Sequence, residues 1–85
     1  TRVDVANTLL RSQNISAAAK LYEQHLAEKP LPDDAADVAL LLAAKYARIL
    51  NEPKRSNSLI DQFYNEFSEE HRELAELLRT EMANA

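Results

Sequence analysis

The side chains best suited to metal or acid–base chemistry are few and widely spaced. His25 and His71 are the only histidines in this 85-residue chain, and there is no cysteine. A zinc site needs three or four clustered nitrogen, sulfur or carboxylate ligands. No two histidines share one predicted helix, so we expect no zinc site, and the absence of cysteine excludes disulfide and thiolate chemistry. We expect His25 at the rim of the core and His71 in solvent.

Carboxylates cluster at Asp33, Asp34 and Asp37. Clustered aspartates can bind calcium, but this segment lacks the glycine and the later glutamate of an EF-hand loop. Carboxylates near a helix start are ordinary partners of the helix dipole, which is the interpretation we favour. The acidic run SEEHRELAE, at 68–76, is similarly interpreted as a solvated helical face rather than an acid–base pair.

The chain contains no glycine, and this excludes several kinds of catalytic site. Phosphate-binding loops, nucleophile elbows and dinucleotide fingerprints use glycine where the backbone turns tightly or approaches a ligand. No arrangement of serine, histidine and aspartate visible in the sequence assembles a nucleophile, a base and an oxyanion hole. We therefore expect a domain that is not an enzyme and has neither a metal nor a cofactor.

Charge and hydropathy narrow the classes of partner. The formal net charge is −4, whereas non-specific nucleic-acid binding needs a basic surface. The longest apolar run, VALLLAA at 38–44, is far shorter than the roughly 20 residues of a membrane span. We expect a cytoplasmic domain, or one on the cytosolic face of a membrane-anchored parent. The chain opens at Thr1 already in a helical pattern, so we expect a fragment of a longer protein.

Hydrophobic periodicity predicts an all-α fold with no strands. Pro30 and Pro32 end the second helix, Asn51 can adopt the left-handed conformation that ends the third, Pro53 suits a first turn and Ser68 suits an N-cap. The predicted helices lie at about 2–12, 15–29, 33–50, 53–67 and 69–83.

Each predicted helix has an apolar face, and the short connections favour antiparallel packing of consecutive helices. A helical bundle and a stack of helical hairpins both satisfy this pattern. The residues expected to face the core are Val5, Ala6 and Leu9; Ala18, Leu21, Tyr22 and Leu26; Val38 to Ala44, Tyr46, Ala47, Ile49 and Leu50; Leu59, Ile60, Phe63, Tyr64 and Phe67; and Leu74, Leu77, Leu78 and Met82.

An internal repeat favours the stack of hairpins. Three segments share one pattern, in which an apolar residue is followed by alanine, two variable residues and a large apolar residue. They are VANTL (5–9), LAAKY (42–46) and LAELL (74–78), at spacings of 37 and 32 residues. The intervening helices also correspond, because Ala18, Tyr22 and Leu26 match Ser56, Ile60 and Tyr64 at a spacing of 38. In the second helix, Ala18 is followed by an aromatic residue four positions later, Tyr22, and by a proline twelve positions later, Pro30. This spacing resembles the tetratricopeptide repeat, a helical hairpin of about 34 residues.

This resemblance implies a single domain, 1–85, that forms a short right-handed α–α superhelix. The first repeat would cover about 2–30, the second about 33–68, and a capping helix about 69–83. The chain departs from the family pattern at three positions. Arg2 stands at the early tryptophan, Gln13 at the turn glycine, and Ser68 at the second proline.

The resemblance also implies a concave groove lined by the first helix of each unit. Arg11 and Arg48 are equivalent at the 37-residue spacing, and Arg79 falls nearby. Guanidinium groups bind carboxylates in bidentate fashion, so one hypothesis is an acidic peptide or C-terminal carboxylate in this groove. The alternative is that these arginines are solubilising or pair with nearby Asp and Glu. The implied groove residues are Val3, Asn7, Leu10, Arg11, Leu40, Ala44, Ala47, Arg48, Arg72, Glu76 and Arg79.

The favoured function is thus a non-catalytic protein–protein interaction module that docks a peptide or a helix. The main alternative is a structural domain that forms a homodimer, because Leu40, Ala44 and Ala47 are apolar residues on the implied concave face and could bury against a second copy. A regulatory accessory domain of a larger enzyme or membrane protein is a third interpretation.

Overall fold

The computed structural model describes residues 1–85 and contains five α-helices, one short 3-10 turn and no strands. It confirms the predicted all-α class. None of the helices has the length and apolar character that crossing a membrane requires. The helices are α1 (Arg2–Arg11), α2 (Ile15–Leu26), α3 (Ala35–Arg48), α4 (Pro53–Phe63), followed by the 3-10 turn Tyr64–Glu66, and α5 (Glu69–Ala83).

Several predicted helix ends are confirmed by local geometry. Pro53 occupies the first turn of α4, and Asn51 has a positive φ of 54° between α3 and α4. Ser68 is the N-cap of α5, and its hydroxyl accepts a hydrogen bond from the backbone N–H of His71. The capping box is completed by the His71 ring, which accepts from the backbone N–H of Ser68 in place of the usual Glu or Gln.

Other predicted ends were too generous. The second helix stops at Leu26 rather than 29, with Ala27 as its C-cap, and Pro30 disfavours helical geometry at Lys29. The third helix begins at Ala35, after Asp34 as N-cap, and it stops at Arg48. The last turn of the fourth helix tightens into a 3-10 turn after Phe63, a common ending for an α-helix.

The chain divides into two compact units, Thr1–Asp33 and Asp34–Ala85. The first unit is the α1–α2 hairpin. Two small side chains, Ala6 and Ala18, are fully buried in its core, and the larger Tyr22 is nearly so. The Tyr22 hydroxyl donates a hydrogen bond to the side-chain oxygen of Asn7, which satisfies a buried phenol. Val5, which was predicted to face the core, is instead 53% exposed.

Gln13 turns the chain between the two helices of this hairpin. Its φ is 68°, and its backbone N–H bonds to the carbonyl of Leu10, while the next N–H, from Asn14, bonds to the carbonyl of Leu9. This pair of bonds is the Schellman motif, in which the left-handed position is usually a glycine. Gln13 therefore performs the turn without glycine, at a conformational cost.

In the second unit, α3 and α4 form a hairpin with a close helix contact. Ser56 is fully buried, and its hydroxyl donates a 2.8 Å hydrogen bond to the backbone carbonyl of Ala43. The short connection at 49–52 can join packed helices of this length only if they run antiparallel. Small side chains at the contact let the two backbones approach, and Leu42 and Ile60 fill the adjoining core.

The fifth helix packs against α3 and α4 through a narrow stripe. Ala75 and Leu78 are buried, but Leu74 and Leu77 are 48% and 61% exposed. The prediction that all three leucines face the core was therefore wrong for two of them. Their exposure leaves an unburied apolar surface on the second unit.

Candidate functional site

A groove that opens to solvent runs between α3 and α5, entirely within the second unit. Its volume is about 770 Å³. The walls are mainly aliphatic, with the polar side chains near the ends. The apolar lining residues are Leu40, Leu41, Ala44, Leu74, Leu77 and Leu78.

One end of the groove is closed by a contact between the starts of the two helices. The Nε2 of His71 lies 2.6 Å from a carboxylate oxygen of Asp37. His71 Nδ1 accepts from the backbone N–H of Ser68, so in the neutral ring the proton is on Nε2 and points to Asp37. His71, which was expected in solvent, is therefore an interhelical contact, and its side chain is only 23% exposed.

The opposite end is closed by Arg48 and Glu81. The guanidinium donates two hydrogen bonds to the carboxylate, from Nε at 2.9 Å and from an Nη at 2.7 Å. These bonds lower the pKa of Glu81 below its ordinary value, and they raise the pKa of Arg48. Both side chains are about half exposed, so the pair fixes geometry more than it stabilises the fold.

The two closing contacts define the direction and the length of the groove. Start meets start and end meets end, so α3 and α5 run parallel. Asp37 and Arg48 are eleven residues apart on α3, so the distance between them along the helix axis is about 16 Å at the α-helical rise. The groove therefore has room for about three turns of a helix laid along it.

Ser68, His71 and Asp37 form a chain of hydrogen bonds that the sequence did not reveal. The Ser68 hydroxyl lies 2.9 Å from His71 Nδ1, and His71 Nε2 contacts Asp37, which resembles the connectivity of a hydrolytic triad. However, the Ser68 oxygen also accepts the capping bond of α5, and the Asp37 side chain is 77% exposed to water. Acyl transfer depends on oriented donors in a site that excludes water. We interpret this chain of bonds as a helix cap joined to an interhelical tie.

The signal for this tie was partly present in the sequence. A serine followed three residues later by a side chain that can bond back is a helix-start pattern, and His71 occupies that position. Its contact with Asp37 spans 34 residues of sequence and depends on the packing of α5 on α3, so no local pattern could show it. The structure contains no group of three or more histidine, cysteine, aspartate or glutamate side chains placed to hold a metal ion.

Three of the implied groove residues of the second unit line this groove, namely Leu40, Ala44 and Arg48. Ala47 is half-buried and does not line it. Arg79 is directed elsewhere, because its guanidinium donates to the carboxylate of Asp61 on α4.

The remaining implied positions on α5 belong mainly to its opposite side. Arg72 and Glu76 line a shallow depression with Tyr64, on the far side of Leu77 from the groove. The Arg72 guanidinium stacks 4.8 Å from the centre of the Tyr64 ring and donates to its backbone carbonyl. Glu76 approaches Arg79 at 3.5 Å.

The implied groove residues of α1 lie in the first unit. Val3 and Leu10 are half-buried, Asn7 is engaged by the Tyr22 hydroxyl, and Arg11 donates to the Thr8 hydroxyl at 3.2 Å. None of them is among the residues that line the α3–α5 groove.

The charge of the chain is concentrated in the second unit. The first unit has four Lys and Arg against four Asp and Glu, whereas the second has six against ten and therefore carries the whole net charge of −4.

Comparisons with protein-family models, curated proteins and solved structures find no match for this chain. Its function is therefore inferred from the geometry and chemistry of the groove itself.

Proposed function

We propose that this chain is a non-catalytic protein-docking module whose α3–α5 groove receives a helix of a partner protein. The observation that carries the proposal is the pair of leucines, Leu74 and Leu77, left about half exposed beside a groove walled by Leu40, Leu41 and Ala44. Covering the exposed part of each leucine is worth roughly 1 kcal/mol. Contiguous apolar surface of this kind marks interaction sites more often than chance exposure of single residues does.

A helix suits the groove better than an extended peptide does. The walls offer aliphatic side chains, and the hydroxyl of Thr80 at the rim is already bonded to the carbonyl of Glu76. An extended segment would bury backbone N–H and C=O groups against leucine without partners, and each such group costs about 1–3 kcal/mol. A helix bonds its own backbone and presents apolar side chains at i, i+3, i+4 and i+7.

The arrangement of α3, α4 and α5 also supports a tetratricopeptide-like architecture, which remains our proposal for the fold. In stacked helical hairpins, the first helices of successive units lie side by side and parallel, with the second helix returning between them. The parallel contacts Asp37–His71 and Arg48–Glu81, together with the α3–α4 hairpin, are the contacts that such a stack predicts.

A homodimer is a second candidate, favoured by the same exposed leucines. A two-fold dimer would bury Leu74 and Leu77 of one copy against the groove of the other. Sedimentation equilibrium over a wide concentration range distinguishes the two. A stable dimer that becomes monomeric in Leu77→Gln supports self-association, whereas a monomer at all concentrations leaves the groove free for another protein.

A displayed library of helical peptides tests docking directly. The peptides would span about three turns, with apolar residues and with Lys, Gln and Glu equally represented at their polar positions. We expect enriched peptides that bind saturably and lose at least about tenfold in affinity with Leu77→Gln, since about 1.4 kcal/mol corresponds to a factor of ten. Ile49→Gln is the matched control, because Ile49 is also exposed, at 52%, and lies outside the groove. If no enriched peptide depends on Leu77, the proposed function is wrong.

A further inference from the structure

We infer that the helix received by the groove is basic, with Lys or Arg residues bordering its apolar stripe. This inference rests on the proposed function and adds the chemical class of the partner. It follows from the charges that border the exposed leucines and from which of those charges already have partners. The carboxylates that line the groove are Asp37, Glu70 and Glu81, against Arg48 and His71.

The cations near the groove are already occupied by groups of the chain. Arg48 is held by Glu81 in a bidentate pair, Arg79 donates to Asp61, and Arg72 is stacked on the ring of Tyr64. An acidic peptide would have to displace one of these contacts to reach a guanidinium. Arg48 and Arg79 therefore fit the alternative in which these arginines pair with nearby Asp and Glu, and this argues against an acidic ligand.

Three carboxylates near the exposed leucines have no ion-pair partner: Glu70 lines the groove, whereas Glu69 and Glu73 line the shallow depression on the other side of Leu77. Glu69, Glu70 and Glu73 form no salt bridge in the structure. Glu69 and Glu70 lie in the first turn of α5, where the helix dipole accounts for part of their stability. Glu73 is a full turn further along, where that effect has faded, so its negative charge is available to a ligand.

The unpaired carboxylates flank the exposed leucines. Residues four apart share one helix face, which places Glu70 beside Leu74 and Glu73 beside Leu77. A helix seated on these leucines would bring its flanking side chains to the carboxylates. Lys and Arg reach over an apolar surface through their aliphatic stems while keeping the charge at the rim, so they suit these positions better than short polar residues do.

The same charges argue against a second copy of this chain as the occupant. In a two-fold interface the same patch meets itself, so the unpaired carboxylates of both copies would border one interface. Each copy contributes a second unit with a net charge of −4. Like charges brought together across an interface oppose association, whereas a basic helix is attracted.

The test uses one enriched library peptide synthesised in three forms with the same apolar face and with Lys, Gln or Glu at the flanking positions. We expect the Lys form to bind the full chain most tightly and the Glu form most weakly. The differences should shrink as ionic strength rises from about 0.05 M to about 0.5 M, because screening shortens the range of exposed charges. Isothermal titration calorimetry measures the affinities.

Charge-removing variants locate the attraction. Glu70→Gln together with Glu73→Gln should weaken the Lys form by roughly three- to tenfold, as expected for two exposed pairs. Glu23→Gln together with Glu66→Gln removes the same charge from two residues that line neither the groove nor the depression beyond Leu77, and should change the affinity by less than about twofold.

The outcomes separate this inference from the proposed function. If the three forms bind equally, or if the Glu form binds best, while Leu77→Gln still weakens binding at least about tenfold, docking stands and the basic partner is wrong. If Glu23→Gln with Glu66→Gln weakens binding as much as Glu70→Gln with Glu73→Gln does, the attraction is due to net charge rather than to the carboxylates beside the leucines, and the inference is also wrong. If no form depends on Leu77, the proposed function itself fails.

Discussion

The guanidinium of Arg48 and the carboxylate of Glu81 are joined by two hydrogen bonds across 33 residues of sequence. The contact between Asp37 and His71 spans 34 residues. Two contacts at opposite ends of α3 with nearly the same sequence offset mean that α5 follows α3 in parallel. The two pairs thus set the register of the groove and close its ends.

Opposite effects are expected when the two members of the Arg48–Glu81 pair are neutralised separately. Arg48→Gln leaves the Glu81 carboxylate uncompensated and should tighten binding of the Lys-flanked peptide. Glu81→Gln frees the guanidinium and should weaken it. Both variants should unfold in urea close to wild type, since both side chains are about half exposed and such pairs stabilise little. Changes of the same sign in calorimetric titrations would contradict the proposed role of this pair in the groove.

The fold class followed from features that act locally in the sequence. Apolar residues at helical spacing, the prolines and the capping residues predicted the helices. Asn51, Pro53 and Ser68 occupy the positions expected of them. Helix ends were less predictable because fraying and 3-10 tightening depend on small differences in local energy. The turn at Gln13 lies where the family pattern has a glycine, although glutamine itself does not favour the left-handed conformation that the hairpin imposes.

The groove was only partly predictable. The family resemblance placed Leu40, Ala44 and Arg48 in a concave groove, and the structure shows these three residues along the cavity between α3 and α5; that this cavity binds a partner stays a prediction. Leu74 and Leu77 were assigned to the core, because an apolar stripe on a helix does not reveal how much of it a neighbour covers. The interhelical partners of Arg48 and His71 are set by tertiary packing, which a single sequence does not encode in any local pattern.

Ser56 should be sensitive to both smaller and larger replacements. Ser56→Ala removes the buried hydrogen bond to the Ala43 carbonyl and should lower the free energy of unfolding by roughly 0.5–1.5 kcal/mol. Ser56→Leu should cost about 1–3 kcal/mol or more, because the close contact of α3 and α4 has no room for it. Ser58→Ala, at an exposed serine of the same helix, should stay within about 0.5 kcal/mol. Urea denaturation followed by circular dichroism measures all three, and equal effects of Ser56→Ala and Ser58→Ala would contradict the buried bond.

Tyr22 should make the first unit sensitive to alkaline pH. Burial raises the pKa of Tyr22 above its ordinary value, and the Arg11 charge opposes this only in part. The neutral phenol is therefore favoured in the folded state, so its contribution is complete below the ordinary tyrosine pKa of about 10 and is lost as pH rises through the higher folded pKa.

The Tyr22→Phe variant should show this dependence most clearly. It loses the hydrogen bond to Asn7 and should be less stable by roughly 1 kcal/mol at neutral pH. Above about pH 10 its stability should fall less steeply than that of wild type. Urea midpoints measured from about pH 8 to about pH 11 provide the comparison, and parallel pH profiles would contradict the assigned role of the phenol.

Gln13 is expected to be a site where substitution stabilises the chain. A left-handed conformation costs a residue with a β-carbon about 1–2 kcal/mol, whereas glycine adopts it freely but loses roughly 0.5–1 kcal/mol in chain entropy. Gln13→Gly should therefore gain about 0.5–1 kcal/mol, and Gln13→Val should be destabilising. Asn51→Gly should gain less, because asparagine tolerates this conformation better than glutamine does. Thermal unfolding orders the variants, and a loss of stability in Gln13→Gly would contradict the assigned turn.

Adjacent leucines on α5 should separate folding from binding. Leu78 is 2% exposed, so Leu78→Ala should cost about 2–5 kcal/mol through lost contacts and a cavity. Leu77 is 61% exposed, so Leu77→Ala should change stability by less than about 0.5 kcal/mol while weakening the helical peptide. Amide hydrogen exchange of α5 adds a second measurement, because Leu78→Ala should accelerate exchange along that helix and Leu77→Ala should not. Equal destabilisation by the two variants would mean that α5 buries a different face, and would contradict the placement of Leu77 beside the groove.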